Sequence, residues 1–296
     1  MVRWLRLCGL SFLLFVFTNP AAAADAPDDM SFIDAHVHLN HAETYLKLMD
    51  AHNIPQAIIF WGRSSDNETL KAQAAAHPDK LIPFISISPE RRHYRPFWQS
   101  GDTALLSELE DGLKSGHFKG IGEISVAHFP ARGFPEADFD PLDPMMTGIM
   151  ELAARYRVPV NIHCEITRLR EFAMLLEKFP TVSVIWAHGG YTPYFLAKRM
   201  LERHPNLTYE LSARTWRRHP RSPDYTILRD GTEVWPRWLQ LIEDNPTRFV
   251  VGTDASQRRV EWDRARIEGV QRVLQQLSPA TRRRVAHDNI LTLIGL

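Results

Sequence analysis

Phe32-Ile33-Asp34-Ala35-His36-Val37-His38-Leu39 opens the folded part of the chain. It is a short apolar run that ends on two histidines two residues apart. A nearly continuous apolar run of this length reads as a strand buried on both faces. On a strand, residues two apart project to the same side, so both imidazoles can reach one point. Seven more such runs follow, at residues 56–61, 81–87, 120–124, 158–162, 182–187, 207–211 and 249–251. Stretches with helical period separate them, at residues 43–52, 68–77, 103–115, 144–157, 169–178, 193–203, 235–244 and 262–276. Eight strands alternating with eight helices predict parallel β/α units, and eight units in about 250 residues fill a single (β/α)8 TIM barrel. An open doubly wound sheet would carry a phosphate-binding glycine loop after its first strand. Here His36-Val37-His38 stands in that place.

Composition agrees with one large globular domain. Hydrophobic residues are 44% of the 296, which excludes a disordered chain. Lys+Arg and Asp+Glu are 35 each, so no basic surface suits general nucleic-acid binding. Residues 1–24 stand apart from the fold: Arg3 and Arg6, an apolar core at 7–17, then Ala21-Ala22-Ala23-Ala24. That three-part pattern reads as a secretory signal peptide. Its apolar core is shorter than the roughly 20 residues that span a bilayer. Cleavage near Ala24 would leave 272 residues with 33 basic and 35 acidic side chains. The expected product is an exported protein without a membrane span, periplasmic in a Gram-negative bacterium and secreted otherwise. Only Cys164 would remain, read as a core residue, so no internal disulfide is expected.

The chemistry collects where the strands end. The first ends in His36 and His38, the fourth in Glu123, the fifth in His163, the sixth in His188 and the eighth in Asp254. The C-terminal rim of a barrel is where active sites form. Imidazole and carboxylate are the ligands of zinc and similar divalent ions. No Gly-x-Ser-x-Gly elbow, Walker A loop, Cys-x-x-Cys or His-Glu-x-x-His occurs.

This ordered set resembles the amidohydrolase superfamily, and within it the amidohydrolase-related (amidohydrolase 2) group of small metal-dependent hydrolases and decarboxylases. The resemblance runs from Ile33-Asp-Ala-His-Val-His38 through Ala187-His-Gly-Gly190 and Val251-Gly-Thr-Asp254 to Asp288-Asn-Ile-Leu-Thr-Leu-Ile-Gly-Leu296. It implies that His36, His38, His163, His188 and Asp254 hold a divalent metal, zinc first, with manganese or another ion open. The context Gly120-Ile-Gly-Glu-Ile124 is similar to the TatD-type branch, where a glutamate bridges two ions. Carried over, Glu123 would join an ion on His36, His38 and Asp254 to one on His163 and His188. Members without the bridge hold one ion, so one or two are open.

The resemblance implies a hydrolase that uses water acidified by the metal, since a divalent ion brings the pKa of water near neutrality. Asp254 would move the proton, and the metal with His188 would polarise the scissile carbonyl. The expected substrate is small, with an ester, lactone or amide bond. Arginines gather on the predicted rim loops: Arg63, Arg91, Arg92, Arg95, Arg132, Arg168, Arg214, Arg217 and Arg218. They suggest an anionic substrate, with Arg63 or Arg214 in contact. Glu165, two past His163, would orient that ligand or touch substrate. Trp61, Trp186 and Trp216 are candidates to line the pocket. A decarboxylase of the same superfamily is the alternative, then a TatD-type nuclease or a non-catalytic binding barrel.

Overall fold

The computed structural model describes residues 30–87, 98, 101–130, 136–215 and 226–296. The expected signal peptide lies outside the described residues, as do Arg91, Arg92, Arg95, Arg132, Trp216, Arg217 and Arg218.

Eight parallel strands form the predicted TIM barrel. They are β1 (Asp34–Leu39), β2 (Ala57–Trp61), β3 (Leu81–Pro83), β4 (Ile121–His128), β5 (Val160–Cys164), β6 (Val184–Trp186), β7 (Leu207–Glu210) and β8 (Phe249–Val250). His38 pairs with Phe60, Ile58 with Ile82, Ile162 with Trp186, Trp186 with Tyr209, and Glu210 with Val250. A bridge from Ile85 to Ile121 joins β3 to β4, and one from Val37 to Ala255 closes the ring.

Helices follow the strands: α1 (Ala42–His52), α2 (Asn67–Ala76), α3 (Thr103–Lys114), α4 (Pro144–Tyr156), α5 (Leu169–Lys178), α6 (Tyr194–Arg203), α7 (Pro236–Asp244) and α8 (Val260–Gln275). Their starts follow local chemistry. Asp66 accepts from the Thr69 amide ahead of α2, and Asp102 from the Ala104 and Leu105 amides ahead of α3. Pro144 and Pro236 open α4 and α7, where a missing N–H costs nothing. The strand reading was short by two residues at the fifth strand, which runs on to Cys164, and by more at the fourth. It ended the fourth strand at Ile124, yet β4 continues through Ser125-Val126-Ala127 to His128.

Two buried layers result. Outward strand residues such as Val37, Ile59, Ile121, Ile162 and Leu207 pack against the helices. Inward residues Ile33, Ala35, Ile58, Phe60, Ile82, Phe84, Ile185 and Val250 fill the barrel floor. Ile290 and Ile294 of α10 (Asn289–Ile294), which follows α9 (Pro279–Arg283), join that floor cluster. The C-terminal helix therefore plugs the end opposite the histidines. Among the described residues, no helix is long and apolar enough to cross a membrane. Cys164 is buried and unpaired, as expected of a core residue.

Candidate metal centre

The six sequence-derived residues meet above the floor. Glu123 stands at the centre. His36 Nε2 is 3.6 Å from its carboxylate, His38 Nε2 3.2 Å, His163 Nδ1 3.0 Å and His188 Nε2 3.4 Å. Asp254 Oδ1 lies 3.7 Å from His38 Nε2. Among the described residues, three groups could hold an ion, each with ligand atoms within 4.8 Å of one another: His36–His38–Glu123, Glu123–His163–His188 and His36–His188–Glu210. Glu123 belongs to the first two.

Local backbone explains this convergence. Gly122 lets β4 approach β5 closely, because a Cβ there would lie 2.8 Å from the Cβ of Asn161. His188 and Asp254 both have left-handed backbone, with φ of 56° and 54°. That conformation is uncommon for residues other than glycine, and such strain gathers at functional sites. Gly189 continues the turn at φ 52° with the Tyr209 ring against it. Arg214 holds the same turn from behind: its guanidinium donates to the carbonyls of His188 and Thr192.

Asp34 ties the first strand to the last. It accepts from Tyr45 Oη at 2.6 Å, from Thr253 N at 2.8 Å and from Thr253 Oγ1 at 2.6 Å. A register shift between Asp34 and Val37 accompanies this. Burial raises the Asp34 carboxyl to about 6 despite these donors. Asp254 is anchored by its own amide to the His36 carbonyl, 2.9 Å away. Arg266 of α8 donates to the Asp254 carbonyl and brings its charge within 4.0 Å of Oδ2.

The partners of three imidazoles assign their protons. His38 Nδ1 is 2.6 Å from the Trp61 carbonyl, which can only accept. His188 Nδ1 is 3.3 Å from the Ser212 carbonyl and 2.7 Å from its hydroxyl. His36 Nδ1 is 2.9 Å from Glu210 Oε2. Each Nδ1 is thus a donor, and each Nε2 is left to face Glu123 with a lone pair or a second proton. Acceptors converging on a carboxylate in a buried space repel unless positive charge lies among them. The donor set fits a divalent ion. Four ligands at 2.0–2.1 Å in tetrahedral array stand about 3.3 Å apart. His36 Nε2 and His38 Nε2 are 3.3 Å apart.

Protons answer part of the same charge. Burial pushes His36 down, but the Glu210 and Glu123 charges outweigh it and hold the ring well above the ordinary histidine value. Burial likewise opposes the charged form of Glu123, yet the His36 charge and a bond from His163 hold it well below the carboxylate range. His163 differs from the other three. A carboxylate faces each of its nitrogens, Glu123 at 3.0 Å and Glu165 at 3.2 Å. These bonds overcome burial and lift it to about 9. Burial lowers His188, with further push from the His163 and His36 charges.

The expected substrate contacts are more scattered. Glu165 is buried beside His163, and its other oxygen accepts from the Phe129 amide at 3.0 Å. Arg63 is exposed on the rim, with its amide on Asn40 Oδ1. Arg214 is fully buried, and its guanidinium lies over the Tyr209 and Trp238 rings. Arg168 forms a two-point pair with Asp138. Trp186 belongs to the core, where its N–H donates to the Cys164 carbonyl. Trp61 donates to Asn67.

Sequence reading missed four neighbours of this centre. Glu210 is fully buried on β7 against His36. An acid within an apolar strand was the available signal. Tyr191 stacks on His188, with ring centroids 5.0 Å apart and planes 8° apart. His128 ends β4, 5.6 Å from the His163 ring. Arg266 lies on a helix face, where its spacing looks like any solvated arginine.

A closed parallel barrel with a histidine–carboxylate cluster on its C-terminal rim defines an amidohydrolase-type enzyme. The family model described as Amidohydrolase (amidohydrolase 2) matches residues 33–296, so the chain belongs to the amidohydrolase 2 family of that superfamily. Solved structures share the fold. An uncharacterized TIM-barrel protein from Bordetella bronchiseptica matches at TM-score 0.65 and 16% identity, over 90% of this chain and 98% of that one. A probable 2-pyrone-4,6-dicarboxylic acid hydrolase from Acinetobacter baumannii, with citric acid bound, matches at 0.54 and 12%, over 90% and 99%. A 5-carboxyvanillate decarboxylase from Novosphingobium aromaticivorans, in complex with manganese, matches at 0.53 and 13%, over 90% and 95%. At these identities the likeness is one of fold. A comparison with curated proteins gives no match.

Proposed function

We propose that the chain is a metal-dependent hydrolase of a small, anionic ester, lactone or amide. The observation that carries this reading is the turning of three Nε2 atoms onto one shared carboxylate. His36, His38, Asp254 and Glu123 would hold one divalent ion, zinc or manganese, and Glu123, His163 and His188 a second. Such ions supply Lewis acidity and bring the pKa of water towards neutrality.

The chain's own groups do the rest. Asp254, buried next to His38, takes a proton from the attacking water and hands it to the leaving group. His188 gives its Nδ1 proton to Ser212, so it faces the cleft as a ligand and not as a hydrogen-bond donor. Polarising the carbonyl would be chemistry that a bound ion supplies. Arg63 is an exposed cation on the described part of the rim, and its charge would suit an anionic substrate. The three-part pattern of residues 1–24 supports export, which would put the reaction outside the cytoplasm.

The manganese decarboxylase among the similar barrels favours a second reading, loss of carbon dioxide from an aromatic acid. One panel separates the two. Zinc- and manganese-loaded protein is offered esters, lactones, amides and hydroxybenzoates. Hydrolysis that a chelator stops and Asp254→Asn abolishes supports the proposal. Carbon dioxide release without hydrolysis replaces it with the second reading.

A further inference from the structure

We propose that Glu210 is a positioning residue of the metal centre: it holds the His36 proton on Nδ1 and so aims Nε2 at an ion, a role that rests on the metal reading above. Glu210 Oε2 is 2.9 Å from His36 Nδ1 and accepts from Asn161 Nδ2 at 3.0 Å. All three side chains are fully buried.

Another assignment competes. Glu210, His36 and His188 also bring ligand atoms within 4.8 Å, which could suggest a further ion held by Glu210 itself. Two distances decide against it. At 2.9 Å the His36–Glu210 contact has hydrogen-bond length, and it takes His36 Nδ1, while Nε2 is the nitrogen turned to Glu123. The same oxygen also receives the Asn161 amide, so its acceptor positions are already taken.

The cost of this arrangement points to a use. A fully buried carboxylate is expensive unless each oxygen finds a partner. Glu210 Oε1 and Asn161 Oδ1 are both buried with no hydrogen-bond partner. The stability argument for the pair is therefore weak. Its electrostatic effect is direct: negative charge behind an imidazole fixes the tautomer and makes the far nitrogen a better metal donor. His38 and His188 lean on Trp61 and Ser212, which are neutral. Among the three Nε2-facing histidines, His36 alone has a carboxylate on Nδ1. By that effect it is the strongest donor of the three.

The test is zinc binding by the full folded chain, with zinc alone as probe in competition with a chelator. Circular dichroism first establishes that each variant is folded. Glu210→Gln keeps an acceptor oxygen but removes the charge, and zinc at the position served by His36 is expected to weaken about 10–100-fold. Nitrogen NMR of the imidazoles should show His36 losing its Nδ1–H preference. Asn161→Ala leaves Glu210 in place but unties it, and a smaller loss in the same direction is expected. This variant carries the test if Glu210→Gln does not fold. Parent-like zinc affinity in the folded variants, with the His36 tautomer unchanged, overturns the proposal alone. A parent chain that takes up no zinc overturns the metal reading and this inference together.

Discussion

Replacing Gly189 with alanine tests how the turn after β6 aims His188. The residue has φ 52°, and a Cβ built there would lie 1.7 Å from Tyr209 Cζ. The ring cannot step aside, because Trp186, Trp238 and Phe249 surround it with centroids 5.6 Å away. Two costs add. An L-residue in left-handed backbone costs about 1–2 kcal/mol. Overfilling a packed core costs about 1–3 kcal/mol more. The sum of about 2–5 kcal/mol lowers the melting temperature by about 4–20 °C in a chain of this size. Gly231→Ala is the control, since its φ is 75° but no atom lies within 4 Å of the new Cβ. It should show only the backbone cost. Thermal unfolding by circular dichroism with chelator present compares the two, and zinc titration then asks whether Gly189→Ala also weakens the position served by His188. If Gly189→Ala melts at or above Gly231→Ala, the steric account of the turn is wrong.

Three further outcomes are expected. Asp254→Asn should abolish turnover of any substrate found while much of the metal is retained; unchanged turnover would remove Asp254 from the mechanism. Arg214→Lys should lower stability by about 2–3 kcal/mol in denaturant unfolding, because a lysine cannot hold the His188 and Thr192 carbonyls together; an unchanged midpoint with a raised KM would return Arg214 to the substrate. Burial works to raise Glu243, but bonds from Thr281 and Ser278 hold it below the ordinary carboxylate value. Its contribution is therefore present above the unfolded value and disappears as pH falls through the folded one. Glu243→Gln should cost about 1 kcal/mol at pH 7, after allowance for solvent screening, and progressively less as pH falls through the folded-state value; a pH-independent difference would contradict this.

The barrel was legible because both faces of its strands are buried. Runs such as residues 158–162 are apolar whichever way each side chain points, and no register knowledge is needed to see them. The candidate ligands were legible because each ends such a run. The fourth strand was misjudged because Ser125-Val126-Ala127-His128 is only mildly apolar and leads straight into Phe129-Pro130. Glu210 stayed hidden because its partner His36 is 174 residues away and adjacent only once the ring closes. Arg214 looked like a loop cation beside Trp216-Arg217-Arg218. Its burial depends on Tyr209 and Trp238 covering the guanidinium, which no local pattern announces. The brace from Asp34 to Thr253, just beyond β8, likewise joins residues far apart in the chain.

The central claim is that positive divalent charge belongs among His36, His38, His188 and Glu123. Elemental analysis of desalted protein after zinc loading tests it directly, beside Glu123→Gln treated the same way. With Glu123 shared between both positions, the account predicts two zinc ions per parent chain and one or fewer in the variant. A folded parent chain that comes off the column without zinc, or a Glu123→Gln chain that retains the parent's full complement, would contradict it.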